Sequence, residues 1–303
     1  MTVREPELVS GRELWQWWAT AKSAAIAADV PLAEVDWLLQ EIAGLDRLVL
    51  RLETFKSWPR VKLQMSLKDL DQLWQRRLQD RLPVQYIAGV APWRQFKLAV
   101  SPAVLIPRPE TESLIDLAVR AVQNSSVTQL SRGRWADLGT GSGAIALSLA
   151  VAFQAAAIYA VDFSLDALYI AQHNARTLGF ADRIHFYQGD WWEPLEFLKG
   201  QFSGVVANPP YIPTQEVQHL QPEVAWHEPH LALDGGSDGL DCIQKLVETS
   251  PAYLHSGGIF LIEMMAGQAE RVATLLQSQG SYCDIEIEID LAGIERYALA
   301  YRR

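Results

Sequence analysis

Gly204-Val205-Val206-Ala207-Asn208-Pro209-Pro210-Tyr211 sets a short apolar run against a rigid polar stop. The first four residues read as a buried strand, because a brief apolar run closed by a turn signal fits a strand covered on both faces. Two consecutive prolines donate nothing to a sheet ladder, and each fixes its own φ. The strand therefore ends at Asn208 in a stiff loop that presents an amide and an aromatic ring at its carboxyl end. In open α/β sheets that edge is where ligands bind. The stretch thus predicts a layered α/β fold and the place of its site.

Upstream lies a second loop, Asp137-Leu138-Gly139-Thr140-Gly141-Ser142-Gly143, joining a strand to a helix. Its glycines permit a tight turn and close backbone approach to a ligand, and the helix N-terminus adds a positive dipole end. Asp162 stands 19 residues after Gly143, at the end of the next strand, where an acid hydrogen-bonds ribose hydroxyls. Asp190, after the third strand, is placed to accept from an adenine amino group, with Trp191 packing nearby. With Ala144 the loop also satisfies the dinucleotide fingerprint G-x-G-x-x-A, so on its glycines a nicotinamide cofactor and S-adenosyl-L-methionine (AdoMet) fit equally. Asp137 before the loop and the acid after the third strand favour AdoMet. The loop at 208–211 follows the fourth strand, facing the methyl group of an AdoMet lying across the sheet, and decides for AdoMet.

Around these loops strands and helices alternate from about residue 108. Strands are expected at 135–138, 158–161, 184–187, 205–207 and 259–263, and a closing hairpin at 285–289 and 297–300. Helical patterns fall at 111–122, 143–153, 164–178, 239–254 and 267–279. This is a mostly parallel, doubly wound sheet with an antiparallel edge. Before it, residues 83–107 hold Pro83, Gly89, Pro92, Pro102 and Pro107, and read as a linker with a hairpin from β-like pieces around Tyr86-Ile87 and 96–100. The first 82 residues read as helices. Ser10 and Glu13 form a capping-box pattern, Pro31 opens a second helix that Gly44 ends, and Ser66 with Asp69 opens another. Seven of the 11 tryptophans precede residue 100, and filling the core between short helices is the main reading for them.

Composition narrows the classes. The chain has 303 residues, 49% hydrophobic and 20% charged, enough for two domains of a soluble globular protein. No apolar stretch approaches the ~20 residues of a membrane helix, and the acid-bearing N-terminus MTVREPELVS lacks the h-region of a signal peptide. Cys242 and Cys283 offer neither a disulfide framework nor zinc spacing, so a reducing cytoplasm is expected. Residues 1–100 hold 14 Lys and Arg against 12 Asp and Glu, and residues 101–303 hold 12 against 24, a net of −12. A half that acidic does not track a nucleic-acid backbone unaided. His219, His227 and His230 lie beside Glu228 in a loop where no helix fixes a ligand spacing, and no metal is expected.

The chemistry of 208–211 follows from delocalisation. An amide nitrogen or exocyclic amine has its lone pair in a π-system, so transfer to it needs geometry more than a strong base. Asn208 Oδ1 and the Pro209 carbonyl can accept both N–H bonds of such a group, pointing the nitrogen at a methyl donor and stabilising the charge that develops. Tyr211 can stack on the planar group. The proton leaves after transfer, so no dedicated base is required.

These residues together resemble the HemK/PrmC-type release factor glutamine methyltransferases. Family-like stretches are Ile106-Pro107-Arg108-Pro109-Glu110-Thr111-Glu112, the glycine loop with Ala144-Ile145-Ala146-Leu147, Gly189-Asp190-Trp191, and Asn208-Pro209-Pro210-Tyr211. Glu228-Pro229, Ala232-Leu233, Asp238-Gly239-Leu240 and Asp290-Leu291-Ala292-Gly293-Ile294 with Arg296 continue the likeness. The resemblance implies a class I, Rossmann-like AdoMet-dependent methyltransferase domain at 108–303, a small all-α N-terminal domain at 1–82 that docks the substrate, and a β-hairpin linker at 83–107. It implies methyl transfer to the glutamine N5 of the Gly-Gly-Gln motif of peptide chain release factors, leaving S-adenosyl-L-homocysteine and modulating translation termination. The enzyme would be cytoplasmic and monomeric, without direct nucleic-acid binding. Gly139, Thr140, Gly141, Ser142, Gly143, Asp162, Trp191 and Asn208 would contact AdoMet, and Asn208, Pro209, Pro210 and Tyr211 would hold the glutamine. The alternative is N-methylation of an exocyclic amine in DNA or RNA, whose enzymes share such loops. One departure lies beyond Glu263: the family commonly continues Glu-x-Gly-x-x-Gln-Gly, whereas Met265 and Ala269 stand here in place of the glycines, with Gln268 kept.

Overall fold

A computed structural model describes residues 6–303, and the first five residues of the N-terminus read above for targeting lie outside it. The chain forms two compact units: residues up to Val90 with Pro222–His227, and Ala91–Gln221 with Glu228–Arg303.

The first unit runs β1 (Glu7–Val9), α1 (Gly11–Ala27), α2 (Leu32–Ala43), α3 (Arg47–Arg51), β2 (Val61–Leu63), α4 (Leu67–Gln79) and α5 (Val84–Ala88). The capping box at the start of α1 is made: the Glu13 N–H donates to Ser10 Oγ at 3.2 Å, and the Ser10 N–H to Glu13 Oε2 at 2.9 Å. Ser66 caps α4 and a left-handed Gly44 ends α2. Trp17 packs edge-on against Trp74, and Trp18 against Phe55, all four buried. Arg77 is buried as well, bonded to Glu34 at 2.6 Å and to Glu223 of the Pro222–His227 excursion at 2.8 Å. Two readings are corrected here. Tyr86-Ile87 is helical, not β-like, because Pro83 and a left-handed Gly89 bracket five residues as helix start and stop. The antiparallel pair β1–β2 went unforeseen, its strands being three residues each and far apart in the chain.

The second unit begins within β3 (Val90–Trp93), at Ala91, and β3 pairs with β4 (Phe96–Ala99). There follow α6 (Ser113–Asn124), β5 (Arg134–Leu138), α7 (Ala144–Ala152), β6 (Ala157–Asp162), α8 (Leu165–Thr177), β7 (Ile184–Gln188) and β8 (Phe202–Ala207). After the short turns α9 (Thr214–Val217) and α10 (Pro222–Ala225, in the first unit) come α11 (Asp241–Thr249), β9 (Leu254–Glu263), α12 (Ala269–Gln279), β10 (Tyr282–Ile289) and β11 (Glu295–Arg302). The helix expected at 239–254 stops at Thr249, since Pro251 cannot continue it, and Leu254 already belongs to β9.

Seven strands form one sheet in the order β10-β11-β9-β8-β5-β6-β7. The five from β9 to β7 run parallel, while β11 and β10 add the antiparallel edge. Strand residues alternate between two cores. Trp135, Val206, Ile259 and Leu261 join α6 and α7 on one face. Ala136, Val205, Ala207, Phe260 and Ile262 join α11 and α12 on the other.

At the centre, Gly204 leaves room for the Trp135 indole: a Cβ there would stand 2.4 Å from the ring. Trp135 cannot yield, being fully buried, stacked on Phe153 and bonded to the Leu130 carbonyl. Gly204→Ala is therefore expected to cost about 1–3 kcal/mol of stability, read as a lower denaturation midpoint at unchanged slope.

Candidate active site

Every candidate residue sits at the carboxyl edge of the parallel strands. Strand order reverses between β5 and β8, since β6 and β7 extend one side and β8 and β9 the other, and the crevice at such a reversal is where open α/β sheets bind ligands. A cavity of about 600 Å³ opens there, within the second unit. Gly139, Gly141, Asp162, Asp190, Trp191, Asn208 and Pro210 all line it. Thr140, Ser142, Gly143, Pro209 and Tyr211 are not in its wall.

The residues that turn away shape the loop. Thr140 Oγ1 donates to Asp137 Oδ2 at 2.6 Å, and the Ser142 carbonyl accepts from Asn174 at 2.9 Å. Gly143, left-handed at φ 84°, packs against Ala171 at the start of α7. Gly141, also left-handed, has no atom within 4 Å of where a Cβ would stand, so backbone alone borders the open space. Asp162 accepts from the Gly141 N–H at 2.8 Å and the Ser164 N–H at 2.9 Å, which aims its carboxylate along the loop. Burial raises its pKa. Asp190 is ion-paired with Lys245. Trp191 takes a left-handed φ of 53°, rare for a bulky residue, and its ring lies over Gly139. A glycine-walled cavity with an acid at the end of β6 and an indole beside it fits an adenosyl group.

The loop after β8 is braced from three directions. Asn208 Nδ2 donates to Thr111 Oγ1 at 3.1 Å. The Tyr211 hydroxyl donates to Glu263 Oε1 at 3.0 Å, and burial followed by the Glu263 charge raises the tyrosine pKa. Gln268 donates to the Tyr211 carbonyl at 3.0 Å and the Gly239 carbonyl at 3.2 Å, while its oxygen accepts from the Met265 N–H. Neither Met265 nor Ala269 takes the positive φ that would favour a glycine. The residue with positive φ in that loop is Gly267, and Ala269 simply begins α12. Tyr211 is thus tethered by its hydroxyl. Thr111, Glu263 and Gln268 escaped assignment of a role from sequence, although each lies in or beside a stretch singled out there. Nearby, Arg108 holds the buried Glu228 at 2.6 Å, fixing the segment whose Pro229, His230 and Leu231 line the cavity.

Comparison with known proteins agrees with this chemistry. The family model "Methyltransferase small domain" matches residues 113–227. A release factor glutamine methyltransferase of Synechocystis sp. is 51% identical over 96% of this chain and 97% of its own length. One of Thermosynechococcus vestitus is 45% identical over 96% of this chain and 99% of its own. Among solved structures, the hMettl16 catalytic domain in complex with MAT2A 3'UTR hairpin 6 superposes with a TM-score of 0.55, over 76% of this chain and 78% of that one. At 14% identity the likeness is one of fold.

Asp137 anchors the glycine loop, and burial raises its pKa to about 7. Thr140 and the Ala146 N–H bond Oδ2, but Oδ1 is buried with no partner. The folded chain therefore holds a proton there that the unfolded chain releases at ordinary carboxylate pH. Stability contributed by this site is present at low pH and lost as pH rises through about 4 to 7, by up to ~4 kcal/mol. Wild type is expected to lose stability relative to Asp137→Asn between pH 5 and 8, measured by denaturant unfolding of both proteins across that range.

Proposed function

The chain belongs to the release factor glutamine methyltransferases, and from that premise we propose that it transfers a methyl group from AdoMet to the side-chain N5 of the Gly-Gly-Gln glutamine of a peptide chain release factor. The observation that carries the proposal is that Asn208 and Pro210 share one cavity with Gly139, Gly141 and Asp162. A holder of planar amides and a holder of an adenosyl group thereby face one space. AdoMet, when bound, supplies an electrophilic sulfonium methyl. Gly139, Gly141, Asp162, Asp190 and Trp191 would hold it, with Asp162 accepting from ribose hydroxyls.

The remaining work falls to residues 208–211. Among the described residues no hydrogen bond is made to Asn208 Oδ1 or to the Pro209 carbonyl. Both acceptors are available to the two N–H bonds of a glutamine amide. So held, the nitrogen loses rotational freedom and its developing positive charge meets two fixed dipoles. Tyr211 supports the planar amide. The surplus proton departs to solvent after transfer. A release-factor substrate puts the enzyme in the cytoplasm, and no described helix is long and apolar enough to cross a membrane.

The first unit is proposed to dock the release factor. It exposes Leu48 and Leu52, one turn apart at α3, together with Trp58, and apolar side chains grouped on a surface mark interaction sites. Leu48→Ser with Leu52→Ser is expected to raise KM for the release factor at unchanged kcat, in steady-state assays at saturating AdoMet.

Labelled methyl transfer from AdoMet to purified release factor, with DNA and RNA in parallel, tests the reaction itself. Label is expected on the release-factor glutamine; label on nucleic acid alone would refute the reading. Asn208→Ala is expected to lower kcat by roughly 10²–10³-fold, the usual cost of removing one transition-state hydrogen-bond partner, and to weaken AdoMet binding less.

A further inference from the structure

We propose that Gln268 is a positioning residue for methyl transfer, acting through the Tyr211 main chain to aim the Pro209 carbonyl at the acceptor nitrogen. The inference deepens the clamp reading of residues 208–211 and rests on it. Gln268 stands at the cap position ahead of α12 and is only 4% exposed. Its Nε2 donates to the Tyr211 carbonyl at 3.0 Å and to the Gly239 carbonyl at 3.2 Å, and its Oε1 accepts from the Met265 N–H at 2.9 Å. A main-chain N–H only donates and a carbonyl only accepts, so these partners fix which end of the amide is which.

An NH₂ group has two hydrogens, and two carbonyls are brought side by side to meet them. Gly239 makes that approach possible. It takes a φ of 76°, and a Cβ on it would lie 2.2 Å from the Tyr211 oxygen and 2.7 Å from Gln268 Nε2. At Gly235 a Cβ would stand 2.8 Å from the Pro210 oxygen and from Tyr211 Cα. Main chain thus packs directly on main chain along Pro210-Tyr211. Beyond the clamp, the Ile212 N–H donates to the Leu233 carbonyl at 3.0 Å and the Gly235 N–H to the Ile212 carbonyl at 2.8 Å. Arg271, one turn along α12 from Gln268, pairs with Asp238. One amide therefore joins the loop after β8, the segment 233–239 and the loop after β9.

The Pro209 and Tyr211 carbonyls are separated by Pro210, whose ring locks its φ, and by Tyr211, whose hydroxyl is held on Glu263 at 3.0 Å. With the Tyr211 carbonyl held as well, the torsions between them lose their freedom and the Pro209 carbonyl keeps one direction. Asn208 Oδ1 and that carbonyl must meet two N–H bonds at once. An acceptor turned aside loses its hydrogen bond and misdirects the nitrogen lone pair. The brace needs two hydrogens and an acceptor at the end of this length of side chain. An ionised glutamate has the shape without the hydrogens, asparagine is one methylene short, and methionine donates nothing.

The test uses full-length enzyme, AdoMet and purified release factor below the melting temperature of each variant, reading kcat, KM and AdoMet Kd. In Gln268→Met, kcat is expected to fall roughly tenfold, the effect of one hydrogen bond, with KM and AdoMet Kd moving less. A role confined to stability lowers the melting temperature and leaves kcat per folded molecule unchanged. Gln268→Glu adds a pH profile. Ionised, its carboxylate faces two carbonyl oxygens and repels them; neutral, it donates one hydrogen to them and still accepts from Met265. Its kcat relative to wild type is expected to climb as pH falls from about 9 to about 6, burial among carbonyls favouring the neutral acid, and to exceed that of Gln268→Met at the low end. Wild-type kcat in Gln268→Met, or a Gln268→Glu no faster than Gln268→Met throughout that range, overturns the proposal. If Gln268→Met does not fold, the profile of Gln268→Glu decides alone, and a flat ratio to wild type overturns it. A wild type that labels nucleic acid and not release factor overturns the substrate reading instead. The Gln268 variants are then compared on whichever acceptor is labelled, so the two ideas fail separately.

Discussion

The second unit depends on β8 ending where it does. That strand is buried along its whole length between β5 and β9, and the ladders consume its backbone groups as far as Val206 on the β5 side and Ala207 on the β9 side. Pro209 and Pro210 then withdraw two donors at once, so the chain must leave the sheet. It leaves beside β5, where strand order reverses and departing loops diverge. A stop two residues later would put Asn208 within a ladder and leave nothing to face the glycine loop. The crevice is therefore a consequence of where hydrogen bonding becomes impossible.

Acids at the strand ends turn that crevice into a defined site. Asp137 ends near β5, Asp162 closes β6 and Glu263 closes β9, and burial raises the pKa of each. Each offsets the cost of burial with hydrogen bonds from the loop it adjoins. Asp137 gathers Thr140 and the first turn of α7, Asp162 gathers Gly141 and Ser164, and Glu263 gathers Tyr211. The loops are ordered because buried acceptors compel nearby donors to turn inward. Rigidity at this edge thus arises from unfavourable burial satisfied locally, and the backbone strain at Trp191 is tolerated because the surrounding loop is so constrained.

What could be read in advance was local chemistry. The glycine loop, the proline stop, the capping box of α1 and the alternation of strands and helices all reside in runs of a few residues, where side-chain type bears directly on backbone geometry. Tyr86-Ile87 misled because β-favouring side chains outweighed the Pro83 and Gly89 signals on either side. The helix α11 is shorter than its apolar pattern predicts, because Pro251 stops it. The braces of the clamp were beyond reach for a different reason. Thr111 lies 97 residues from Asn208, Glu263 lies 52 from Tyr211, and Gln268 lies 57 from Tyr211. No periodicity connects residues so distant; only the sheet order does, and it became visible with the fold.

Recognition of the acceptor divides between two features of the chain. The clamp suits any planar nitrogen with two hydrogens, so amides and nucleobase amines satisfy it equally. Charge separates them. Asp162, Asp166, Asp190 and Asp234 all line the cavity, and residues 101–303 carry a net charge of −12. A nucleobase arrives attached to phosphates, whose approach such a surface opposes and whose binding needs Lys and Arg to release counterions. AdoMet arrives with a cationic sulfonium and an ammonium group, which the same acids attract. A glutamine arrives on a polypeptide that need bring no negative charge to the cavity. On the proposed function, acidity that favours the donor disfavours one class of acceptor, so cofactor affinity and substrate choice would draw on the same carboxylates.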